Sequence, residues 1–251
     1  REAEPLYERA LAIWEKALGK DHPNVAVVLS NLAQVYEAQG AYRKAETLYE
    51  RALALGEKVL GKDHPDVARS LQNLAALYWR QGEYEKAESL YERALVIGEK
   101  VLGKDHPDVI TILNDLAVMY HWQGEYEKAE PLYERALAAG EKVLARDHPD
   151  VITILNNLAV LYQEQGDYVK AEPLHERVLA GWEKALGQHH PKTATGLNNL
   201  AWTYHLQGAY SEAEPLFRRA LTIREETLGK DHPDFAQSLH SLGTLHVQIG
   251  R

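Results

Sequence analysis

The sequence predicts an all-α fold: a right-handed α-solenoid, or superhelix, of stacked antiparallel helix pairs with about 12 helices. Three observations carry this reading. His-Pro pairs recur at His22-Pro23, His64-Pro65, His106-Pro107, His148-Pro149, His190-Pro191 and His232-Pro233, each 42 residues after the last. A second marker, Gly40, Gly82, Gly124, Gly166, Gly208 and Gly250, keeps the same period, with nothing inserted or deleted between copies. Between the markers, apolar residues fall at i, i+3, i+4 and i+7, which is one face of an α-helix.

Taken in order, the chain reads as a lone second helix (1–18), five full helix pairs (24–60, 66–102, 108–144, 150–186, 192–228) and a lone first helix (234–249) of one repeat segment. In the first helix of a pair, Leu29, Leu32, Ala33 and Tyr36 make the apolar stripe, and Leu113, Leu116, Ala117 and Tyr120 repeat it. In the second, Ala45, Leu48, Tyr49, Ala52 and Leu53 form the stripe, while Glu46, Glu50 and Arg51 belong to a solvated face. Proline in a first turn has a preset φ and no donor to lose, so His-Pro-Asp reads as a helix start, and the six histidines as structural. Gly61, Gly103, Gly187 and Gly229 close second helices where a left-handed residue is common; Ala145 breaks that pattern, at about 1 kcal/mol if its position is left-handed. Pro5, Pro131, Pro173 and Pro215 fall early in second helices, where each removes at most one backbone bond. One helix pair cannot bury its own stripe, so neighbours must stack, first helices on one side and second helices on the other.

Composition narrows the function classes. Acidic residues outnumber basic ones by 37 to 28, a net charge of −9, which gives no global attraction to nucleic acid or to an anionic membrane. There is no cysteine, hence no disulfide and no thiolate metal site, in keeping with a reducing, cytoplasmic setting. No apolar run reaches the roughly 20 residues of a membrane helix. The chain starts and stops inside the repeat phase and no signal peptide precedes the first repeat, so it is expected to be a segment of a longer protein.

The motif Leu-x-x-Leu-Ala-x-x-Tyr followed by Gln-Gly-x-Tyr-x-x-Ala-Glu-x-Leu-Tyr-x-Arg-Ala-Leu resembles the tetratricopeptide repeat, and Leu158, Ala159, Tyr162, Gly166, Tyr168 and Ala171 sit at its signature positions. The 42-residue period with Leu-Gly-Lys-Asp-His-Pro between repeats is similar to the kinesin light chain subclass. That resemblance implies a concave groove, lined by first helices, that binds an extended or helical peptide segment of a partner protein. It also implies that an asparagine one residue before the signature leucine bonds the peptide backbone. That column reads Asn31, Asn73, Asp115, Asn157, Asn199 and Ser241; a carboxylate, which only accepts, cannot bridge a peptide bond as an amide does. Few basic groove residues are evident, so the subclass preference for acidic tryptophan-containing peptides is not carried over.

An internal comparison points to the same wall. Repeats 61–102 and 103–144 differ at 12 of 42 positions, nine of them in the first helix, and six of those nine occupy columns expected on the inner wall. The candidate groove residues are Asn31, Arg69, Asn73, Trp79, Arg80, Asn114, Asp115, His121, Trp122, Asn156, Asn157, Asn198, Asn199, Trp202 and His205. Aromatic residues and arginine are the usual interface anchors. Trp14 and Trp182, on second helices, read as packing residues.

No Gly-rich phosphate loop, nucleophile elbow or His-Glu-x-x-His zinc helix is present, so no cofactor, metal or enzymatic activity is expected. His189-His190 does not read as a metal site, because one is the repeat histidine and the other replaces an aspartate. The favoured function is a protein interaction scaffold. The alternative is a structural or oligomerising spacer, stacking head to tail through ends where Leu239, Leu242 and Leu245 would lack a covering helix.

Overall fold

The structure, a computed structural model, describes residues 3–250. Among them lie twelve α-helices and no strand: α1 (Ala3–Leu18), α2 (Pro23–Ala38), α3 (Tyr42–Leu60), α4 (Pro65–Gln81), α5 (Tyr84–Val101), α6 (Pro107–Trp122), α7 (Tyr126–Val143), α8 (Pro149–Glu164), α9 (Tyr168–Leu186), α10 (Pro191–Leu206), α11 (Tyr210–Leu228) and α12 (Pro233–Gln248). They fall into two compact units, one ending at Met119 and the other starting at Tyr120, within α6. No helix is long and apolar enough to cross a membrane.

Within each unit the sequence explains the pairing. Every first helix opens on His-Pro, and the histidine Nδ1 accepts the backbone N–H two residues on: Asn24 and Asp66 at 3.2 Å, Asp150 at 3.3 Å, Lys192 and Asp234 at 3.1 Å. The imidazole thus does what an Asp or Ser does at an ordinary N-cap, consuming one orphan donor of the first turn. Within each unit first helices pack on neighbouring second helices, as α2 does on α1 and α3 and α10 on α9 and α11, and Leu29, Leu71, Leu113, Leu155 and Leu197 are buried to 1% exposure or less. Second helices contribute alanines and one ring per repeat, Tyr49, Tyr91, Tyr133 and Phe217, all nearly fully buried. Small residues at these crossings let helix axes approach, and the ring fills what remains.

Two expectations are corrected. Ala145 is not left-handed: among the described residues only glycines have positive φ. At this junction Leu144 takes an extended conformation (φ −108°, ψ 167°), and the turn bond from His148 N to the Ala145 carbonyl still forms at 2.8 Å. The anticipated cost is therefore absent. At the end of the chain, Leu242 and Leu245 are not uncovered; they are buried against Ala201, Ala213 and Phe217, and only Leu239, about half exposed, faces outward. The i, i+3 pair turns back onto α10 and α11 rather than away from them, which weakens the case for an apolar stacking end.

Candidate functional site

The side chains singled out from the sequence do not share one fate. Along the first helices, the residue just before the asparagine column reaches the asparagine column of the next repeat. Gln72 Nε2 donates to Asp115 Oδ2 at 2.7 Å, and Asn199 Nδ2 donates to Asn156 Oδ1 at 2.9 Å. Asn114 and Asn157 are also engaged. Burial raises the Asp115 carboxyl above the ordinary carboxylate range, opposed by the hydrogen bonds from Gln72 and Asn114. These rungs tie neighbouring helices together and occupy the groups that a ligand would otherwise use.

The ladder is broken between α2 and α4. There the reaching residue is Ser30, which is too short to span the gap and turns its hydroxyl back to the Ala26 carbonyl at 3.1 Å. Asn31 and Asn73, both half-buried, are left with no side-chain hydrogen bond among the described residues. Together with Arg69 they line one cavity of about 330 Å³ between α2, α3 and α4. Arg69 itself is held between Asp66 at 3.3 Å and Asp108 at 3.9 Å.

A second rung runs one turn from the helix C-termini. Arg80 pairs with Glu37, which also accepts from the Tyr49 hydroxyl at 3.0 Å. In the other unit, His121 Nε2 lies 2.9 Å from Glu164, Tyr126 donates to the same carboxylate at 3.1 Å, and Tyr133 Oη lies 3.4 Å from His121 Nδ1. Since a carboxylate only accepts, Nε2 carries the proton and Nδ1 receives the tyrosine hydroxyl. Both charged anchors, Arg80 and Arg69, are thus neutralised locally, and His121 is part of a scaffolded network.

The aromatic candidates divide. Trp122 is 77% exposed at the end of α6, with its indole offered to solvent. Trp79 is half-buried. Trp202 is partly buried against the core of α10, α11 and α12, with its ring 5.5 Å from Phe217 and 5.0 Å from His205, and its indole N–H donating to Ser241 at 3.1 Å. Burial lowers the His205 pKa, and its Nδ1 has no partner. Asn198, 4% exposed, is withdrawn from any surface contact. Trp182, 5% exposed, fills the core between α8 and α9. Of the nine first-helix differences noted above, the pairs Ala68/Ile110 and Leu77/Met119 are buried in both repeats, so those substitutions repack the interior rather than alter the wall.

Sequence reasoning missed Gln72, Glu37 and Glu164, the partners that occupy Asp115, Arg80 and His121. The signal was present, because each sits one repeat plus one residue from its partner. Among the described residues no group of three or more His, Asp or Glu side chains is arranged to hold a metal ion. His189 faces Glu226 instead, with Nδ1 3.2 Å from Oε2.

A tetratricopeptide repeat family model matches residues 1–58, 38–100, 73–142, 108–180 and 150–226. The chain is similar to BtubC (BKLC) from P. vanneervenii, with 32% identity over 90% of this chain and 89% of that one and a TM-score of 0.78. It is similar to a Podospora anserina kinesin light chain with nearly identical TPR-like repeats, at 30% identity over 82% of this chain and 98% of that one, TM-score 0.72. The fold alone is shared with YrrB, a TPR protein with an unusual peptide-binding site, at 17% identity over 94% and 96% of the two chains and a TM-score of 0.54. No curated protein matches the sequence.

Proposed function

Because the chain belongs to the tetratricopeptide repeat family, in its 42-residue kinesin light chain-like form, we propose that it is a non-catalytic interaction scaffold that holds an extended peptide segment of a partner protein against its first helices. One observation carries the reading. Between repeats 61–102 and 103–144 the second helices differ at only three positions, whereas nine positions of the first helices change, the accessible ones including Arg69 to Thr111, Trp79 to His121 and Arg80 to Trp122. Packing alone does not call for that variation, since these side chains are partly or fully exposed. A wall that meets different parts of one ligand does call for it. The two unpaired amides, Asn31 and Asn73, supply what such a wall needs, since each can accept from and donate to a peptide bond.

The test is an array of 12-residue peptides read with the intact chain, followed by titration of the best binders against Trp122→Ala and Asn73→Ala. Neither change removes a buried contact, so the thermal midpoint should hold while affinity falls five-fold or more in at least one variant. Unchanged affinity in both would remove the first-helix wall as the binding surface.

A further inference from the structure

At each junction between successive repeats, one residue of the second helix faces one residue of the next first helix. The Cβ that would be added at Gly98 lies 3.0 Å from Val109 Cγ2 and 3.7 Å from Ile112 Cδ1, and Arg224 Nη1 donates to Ser238 Oγ at 2.8 Å, so residues 14 apart in the sequence face each other at these two junctions. Size is complementary across four of these six pairs. In the same register Ile112 and Ile154, 1% and 2% exposed, pair with Gly98 and Gly140, and Trp182 and Arg224, 5% and 3% exposed, with Gly196 and Ser238. At the first junction Trp14 and Val28 are both large. Between α3 and α4 the rule fails in the opposite sense, because Gly56 falls in register with Ser70 and both are small. The cavity of about 330 Å³ is the result, since both residues line it.

The asparagine ladder is interrupted at this junction too, as it is again between Asn198 and Ser241. Packing and hydrogen bonding, which depend on different columns of the repeat, are both left open at one place. The furrows between successive second helices are different in kind: one lined by Leu53, Leu74 and Tyr78 recurs 42 residues earlier with Leu11, Leu32 and Tyr36, so it is a property of the repeat.

The cavity has the chemistry of a side-chain socket. Leu55, Gly56, Val59 and Leu60 of α3 and Ala26 of α2 make an apolar floor. Its hydroxyls are already used, Ser30 by the Ala26 carbonyl and Ser70 by the Asp66 carbonyl at 2.9 Å. The N-terminus of α2 is capped by His22, so it offers little to an anion. At the rim, Arg69 is shared between two carboxylates, Asp66 and Asp108, which leaves an acidic excess on a chain of net charge −9.

We propose that the cavity between α2, α3 and α4 receives one bulky apolar side chain of a bound peptide whose flanking residues are basic, with the Asn31 and Asn73 amides holding the peptide backbone at its mouth. The inference rests on the peptide-binding reading above and names its ligand class.

The experiment uses the full chain and fluorescently labelled peptides Lys-Ala-X-Ala-Lys and Glu-Ala-X-Ala-Glu, with X as Leu, Phe, Trp, Ala or Ser, read by anisotropy. Expected are tenfold or greater preference for Leu, Phe or Trp over Ala, and for lysine over glutamate flanks. Ser70→Ile copies the residue that fills the next junction; it should raise the thermal midpoint and weaken binding at least tenfold. Ser70→Val, a smaller filling, serves if the isoleucine variant misfolds. A stabilised variant that still binds the peptides while Trp122→Ala or Asn73→Ala does not would leave the wall reading standing and show the cavity to be a packing gap. Stronger binding of the glutamate series would overturn the assigned charge preference. Concentration-dependent self-association abolished by Ser70→Ile would give the socket to a second copy and overturn the peptide proposal. Absence of binding by every peptide in both this set and the array would sink the two readings together.

Discussion

His175 occupies the place that Tyr49, Tyr91 and Tyr133 hold in earlier repeats and Phe217 holds in the next. It is fully buried, and neither ring nitrogen has a partner. The tyrosines tolerate this position because their hydroxyls reach the wall, as Tyr49 reaches Glu37; the shorter imidazole reaches nothing. Burial drives its pKa from 6.5 down to about 4, so the fold holds it neutral. Between those values the unfolded chain binds more protons than the folded one. Stability therefore falls as pH drops through that window, by linkage. His175→Phe should raise stability at pH 7 by about 1 to 3 kcal/mol, the cost of stranding buried polar atoms, and should flatten the urea midpoint between pH 6.5 and 4 relative to the parent. Equal pH slopes in the two proteins would mean that the ring is hydrated after all. The position was legible in the sequence as a member of the ring column. Its isolation was not, because an unmet hydrogen bond depends on the reach of neighbouring side chains rather than on spacing.

At the level of the helix, glycines buried inside second helices separate two kinds of crossing. Gly56 in α3 has room: an added Cβ would meet Val67 Cγ2 at 3.5 Å, an ordinary contact. Gly181 in α9 has none, since the same atom would lie 2.8 Å from Ile152 Cδ1, and Ile152 is locked against Trp182 in the core. Gly56→Ala should stabilise by up to about 1 kcal/mol through helix propensity. Gly181→Ala should lose by overpacking, at about 1 to 3 kcal/mol, more than propensity returns. Paired urea denaturation curves would check this, and a common sign for both variants would contradict the difference in room at the two glycines. Helix boundaries, pairing and caps were readable because each depends on a local motif repeated six times, such as His-Pro. Which crossings are tight was readable only by setting one column against another across a junction, as with Gly56 and Ser70, and the candidate wall was overdrawn for the same reason: Asn198 looks like a wall residue by register yet is buried, and Trp202 is partly buried with its indole N–H committed to Ser241.

Over the whole chain, charge is laid out as a ladder on the second helices and the loops that follow them. Lys58 pairs with Asp21, Lys100 with Asp63 and Lys184 with Asp147, each across one repeat junction. At the next junction both partners are changed: the aspartate column presents His189 and the lysine column presents Glu226, and the two still meet. A double exchange that keeps the contact indicates that the rung contributes to joining repeats, although exposed pairs of this kind are worth only about 0.2 to 1 kcal/mol. His189→Asp alone sets a carboxylate against Glu226, and Glu226→Lys alone sets a cation against the imidazole; each should lower the denaturation midpoint. The double variant rebuilds the rung of the other junctions and should recover it, with a coupling energy inside that range. In about 1 M salt, where the screening length shrinks to roughly 3 Å, the coupling should largely vanish. Two single losses that simply add in the double variant, at low salt, would show that the exchange is without energetic consequence and that apolar stacking alone joins these repeats.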